Sequence, residues 1–135
     1  MSKTPDRFYI DQNDKDIYKE IEKNLFNNKD NKDLFIFAIS EGFKLKKRKK
    51  LKSKYGFVRR EYLTPGDWAF IYAVAIDTEG IEVLLKMDRV FEIAEEYAHS
   101  GIILIKNRLS SIPYGDELKK IEQELMDNYE NLINE

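Results

Sequence analysis

Apolar positions recur at helical spacing through most of this chain. Between Asp14 and Phe26, Ile17, Ile21 and Leu25 repeat every four residues with Tyr18 beside them, which predicts a short amphipathic helix. NNKDNKD breaks that pattern, after which Asp30 or Asn31 can cap the apolar run LFIFAIS, which stops at Gly42. TPGDW is the clearest helix start. Thr64 serves as cap, Pro65 takes the first helical position, and Asp67 can return a hydrogen bond from three residues on. The helix it opens is expected to run to about Thr78, to stop at Gly80 and, being apolar on most sides, to lie at the centre. IEVLL is too short to classify. From Asp88, the positions Phe91, Ala94, Tyr97, Ala98, Ile102, Ile105 and Leu109 keep helical spacing, with Gly101 as a kink or close-packing point and Pro113 as the end of the unit. Leu118, Ile121, Leu125 and Leu132 then lie among carboxylates, which predicts an acidic amphipathic helix over residues 114–135.

These elements predict a mainly α fold, a single-domain bundle of about five helices. Residues 1–12 show little periodicity and are expected to be loosely ordered. Residues 43–63 read as a basic loop between helices two and three, with YGFVRREYL alternating enough for a short β-ribbon. At 135 residues, with 42% hydrophobic and 13% aromatic residues, the chain has material for a real core. The absence of cysteine removes disulfide, thiolate-metal and sulfur-nucleophile chemistry. There is no early apolar segment and no run of membrane-spanning length, so a soluble cytoplasmic protein is expected.

Charge changes the picture. The net charge of −2 hides a run, FKLKKRKKLKSKYGFVRR, in which 10 basic residues lie between Lys44 and Arg60 with no acidic residue among them. The rest of the chain then holds 13 basic against 25 acidic residues. Crowded like charges repel unless something negative relieves them. Nucleic acid is the reading preferred here. The candidate contacts are Lys44, Lys46, Lys47, Arg48, Lys49, Lys50, Lys52, Lys54, Arg59 and Arg60, with the arginines Arg48, Arg59 and Arg60 favoured for phosphate because they grip it through two parallel hydrogen bonds. Tyr55 joins them as a ring able to stack on unpaired bases, whereas Phe57 and Tyr62 read as rings that pin the loop to the core. An internal explanation competes: the acidic C-terminal helix can lie against the basic loop, in the same chain or a second copy, and act as a brake. An anionic membrane surface is disfavoured because only Leu45 and Leu51 offer apolar anchorage among the lysines.

His99 is the one histidine, and with Glu96 it makes a Glu-x-x-His pair of the kind metal-binding bundles use. Such sites need a second copy and further inward carboxylates, so Glu92, Glu95 and Glu96 are read as the wet side of helix four, His99 as solvated or packed, and no metal or cofactor is expected. One histidine, no P-loop and isolated glycines provide no catalytic constellation, and a non-enzyme is expected.

Three stretches, KDLFIFAISEGFK, WAFIYAVAIDTEGIEVLL and FEIAEEYAHSGIILIKNRL, resemble the small accessory proteins of the DNA phosphorothioation (dnd) systems, which replace a non-bridging phosphate oxygen with sulfur and restrict unmodified DNA. EEYAHSGI also resembles, faintly, the small helical DNA-binding subunit of that machinery, which implies lysine-mediated binding to duplex or nicked DNA and self-association to a homo-oligomer. The expectation is therefore a DNA-binding accessory protein with little sequence preference, working beside larger subunits. The alternative is an interaction module whose basic loop docks on an acidic surface of a larger enzyme subunit.

Overall fold

The computed structural model describes residues 5–24, 30–110 and 115–134. Its elements are β1 (Arg7–Asp11), α1 (Lys15–Asn24), α2 (Asn31–Lys44), β2 (Lys54–Arg59), α3 (Pro65–Glu79), α4 (Met87–Ser110) and α5 (Gly115–Asn134). Short 3₁₀ turns over Gln12–Asp14, Arg60–Tyr62 and Ile81–Leu85 join them, the last being the IEVLL stretch. Five α-helices and a two-stranded ribbon among the described residues make the fold mainly α, as its periodicity implies. Leu25, Phe26 and Pro113 lie outside the described residues, as do the side chains of Leu118 and Ile121.

The centre of the molecule is the α2–α4 pair rather than α3. Gly42 of α2 and Gly101 of α4 face each other's helix, and a Cβ at Gly101 would overlap the Ala38 carbonyl oxygen just as one at Gly42 would overlap that of Tyr97. Two bare backbones therefore approach closely, and Gly101 marks a packing point. Leu34 to Ser40 of α2 and most of Val90 to Ile102 of α4 are buried as a result. Helix α3 packs alongside, with Phe70, Ile71, Val74 and Ala75 inward. Its start is the expected capping box: the Asp67 N–H donates to Thr64 Oγ1 at 3.2 Å and the Thr64 N–H donates to Asp67 Oδ2 at 2.9 Å. The same Asp67 accepts Lys32 Nζ of α2 at 3.0 Å, which ties the two helices. Gly80 ends α3 at a φ of 91°.

The N-terminal segment differs from expectation. Residues 7–11 form an antiparallel strand against β2, with Phe8 opposite Val58 and Asp11 opposite Lys54. The ribbon thus pairs β2 with the N-terminus instead of folding YGFVRREYL on itself, and Arg60–Tyr62 is a 3₁₀ turn. Phe8 stacks on Phe91 at 4.1 Å and 8° and meets Phe35 at 5.2 Å, so burial of one ring holds a strand too short to show periodicity. Helix α5 lies on α2 and α3: Leu125 is buried and Tyr129 packs on Phe37 at 4.3 Å.

Candidate nucleic-acid interface

The basic segment leaves α2 through a tight C-terminal turn. Lys46 N–H donates to the Phe43 carbonyl and Lys47 N–H to the Gly42 carbonyl, both at 3.0 Å, the paired bonds of a Schellman motif. Its left-handed position holds Lys46, with φ 54°, where glycine is usual. Side-chain contacts offset that strain: Lys46 Nζ sits 3.6 Å from the Phe43 ring centroid and 2.6 Å from Asp77 Oδ2.

From there residues 47–53 form a strap across α4, held along its backbone. Lys49 N–H donates to the Glu96 carbonyl at 3.2 Å, Lys52 N–H to Asp11 Oδ2 at 2.7 Å, and Gln12 N–H to the Ser53 carbonyl at 2.7 Å. Arg48 Nη1 reaches Glu96 Oε1 at 3.4 Å, its guanidinium near the Tyr97 ring. With the backbone so occupied, the side chains of Lys47, Lys49, Lys50, Lys52 and Lys54 are exposed, and none lies within ion-pair distance of a carboxylate among the described residues.

The remaining candidates separate from this group. Lys44 pairs with Glu41 at 3.2 Å. Arg59 pairs with Glu61 at 3.2 Å and lies about 16 Å from Lys54 along β2. Arg60 is half-buried, its guanidinium on the rings of Trp68 and Phe91 and donating to the Pro5 carbonyl at 3.3 Å. Tyr55 is 37% exposed, with Lys15 Nζ 4.5 Å from its ring. Phe57 packs on Tyr18 at 4.5 Å, but Tyr62 is 65% exposed and does not pin the loop.

Carboxylates beneath the strap correct the reading of α4. Glu92 is exposed, but Glu95 and Glu96 are buried, as are Asp11, Asp14 and His99. Glu95 accepts the Tyr9 N–H at 2.9 Å, and burial pushes its carboxyl up to about 7 against the pull of that bond and of Lys54. Burial also works to raise Asp11, but the N–H groups of Lys52 and Asn13 outweigh it and hold Asp11 below its ordinary value. Asp14 is raised by burial, although His99 opposes the shift. His99 Nδ1–H donates to Asp14 Oδ2 at 2.5 Å, while Nε2 stands 3.8 Å from Asp11 Oδ2. Among the described residues no group of three or more His, Asp or Glu side chains is arranged to hold a metal.

In sequence, Asp11 and Asp14 sit in a polar N-terminal stretch with no sign of burial. The Glu96–His99 spacing was visible, but its partner Asp14 lies 85 positions away. Among the described side chains of the acidic helix none pairs with the strap, and the described ion pair joins Glu124 to Arg108 of α4.

No helix among the described residues is long and apolar enough to cross a membrane. No curated protein and no solved structure matches the chain. A family model does, across residues 7–134, from the strand that anchors the strap to the last turn of α5, and the chain therefore belongs to the family of DNA sulphur modification system-associated protein 4.

Proposed function

We propose that the chain is a non-catalytic DNA-binding protein of the sulphur modification system to which its family belongs, and that the strap is its contact with the phosphate backbone. The observation that carries this reading is the latch: five exposed lysines, Lys47, Lys49, Lys50, Lys52 and Lys54, project from a backbone fixed to α4 and the N-terminus. Fixing the backbone in advance lowers the ordering cost that a mobile basic loop meets on binding. Lysines act as point charges toward phosphate and carry no base information, so affinity is expected with little sequence preference.

The test is a salt titration of binding to duplex, nicked and single-stranded DNA. Displacing counterions from about five phosphates gives a slope of log K against log salt of about −4 to −5. Replacing Lys47 and Lys50 by alanine is expected to flatten the slope by about 2. Absence of binding at low salt overturns the proposal and favours docking of the strap on an acidic surface of a larger subunit.

A further inference from the structure

We propose that the cleft between the strap, α1 and α4 holds one sulfur-substituted phosphodiester of the DNA in preference to an ordinary one. The proposal rests on the reading above, that the strap lies on the DNA backbone, because Lys49 and Lys52 belong both to the strap and to the cleft rim. Lys106 of α4 adds a third rim cation, and the cleft has a volume of about 330 Å³.

Its lining is mixed, apolar and cationic. Ile17 of α1 and Ile103 of α4 line it as half-buried apolar groups, beside the lysines. The carboxylates on its floor are engaged: Asp11 accepts the backbone N–H groups of Lys52 and Asn13, and Asp14 accepts His99 Nδ1–H. An ordinary phosphodiester carries two strongly hydrated non-bridging oxygens, and setting either against isoleucine strips water without return. A sulfur in one of those positions is larger, softer and weakly hydrated, so the apolar wall suits it while the lysines meet the remaining oxygen and the charge. Sulfur substitution also makes the phosphorus chiral. Apolar groups and cations held at fixed places in one cleft meet the two non-bridging positions differently and so distinguish the two stereoisomers.

The experiment measures binding of the full chain to three duplexes of one sequence: unmodified, and carrying a single central phosphorothioate as each separate diastereomer. One diastereomer is expected to bind about fourfold more tightly than the other two duplexes, the gain from covering roughly one methylene equivalent of apolar surface. Ile17→Ala with Ile103→Ala is expected to abolish the difference, with folding checked by circular dichroism; should that pair fail to fold, the single β-branched but polar Ile103→Thr takes its place. Equal affinity of the three duplexes, with Lys47→Ala and Lys50→Ala weakening all of them, overturns the sulfur site and leaves backbone binding standing. A preference that persists in the folded isoleucine variants also overturns it, and no binding to any duplex overturns both readings.

Discussion

Glu95 shows at the scale of one residue what burial does to a charge. Its carboxyl rises from an ordinary 4.5 to about 7, chiefly because burial disfavours the ionised form. A raised carboxylate pKa means that its stabilising contribution is fully present below pH 4.5 and is lost as pH climbs through 7. Glu95→Gln keeps an acceptor for the Tyr9 N–H without the charge. It is expected to match the wild type near pH 4.5 and to exceed it at pH 8 by on the order of 1 to 3 kcal/mol in urea unfolding. Asp11 runs the other way: its folded pKa is lowered, so its contribution is present above the ordinary carboxylate range and lost as pH falls.

Between elements, two contacts decide the architecture that the strap depends on. The α2–α4 crossing has no room for a methyl group at Gly101, and the obstacle is the backbone of Ala38. Gly101→Ala is expected to cost at least about 3 kcal/mol or to prevent folding, read from the midpoint of denaturation. The strap depends on Asp11, whose two oxygens accept N–H groups on either side of the ribbon end. Asp11→Ala leaves those partly buried donors without their acceptor, at a cost of about 1 kcal/mol, and native-state hydrogen exchange is expected to show faster exchange at Lys52 than in the wild type.

On the scale of the whole molecule, the charge separation is relieved only in part by pairing within the chain. Asp77 of α3 and Glu96 of α4 receive Lys46 and Arg48, and the acidic α5 is turned toward α2, α3 and Arg108. No described carboxylate of α5 pairs with the strap, so a brake exerted by Glu124, Asp127 and Glu130 is not expected. Replacing Glu124, Asp127 and Glu130 by their amides should change DNA affinity less than about twofold at physiological salt, where screening acts over about 8 Å. A tenfold tightening in the same titration would restore the brake.

The sequence by itself determined the helices and the chemistry on the surface. Periodicity located α1, α3, α4 and α5, the Thr64–Asp67 box started α3 where it begins, and the lysine run announced a basic surface. These are local features, set by spacing within a few residues, and no distant partner is needed to make them. Tertiary structure decided which helix is central, because close approach at Gly42 and Gly101 depends on two segments meeting. It likewise made residues 7–11 a strand, since five residues acquire that state from the pairing of Phe8 with the core and of Asp11 with the strap. Five lysines became exposed along a fixed backbone for the same reason. The groups that anchor their backbone, the Asp11 carboxylate at the end of β1 and the Glu96 carbonyl of α4, are brought together by burial of rings and glycines that carry no charge.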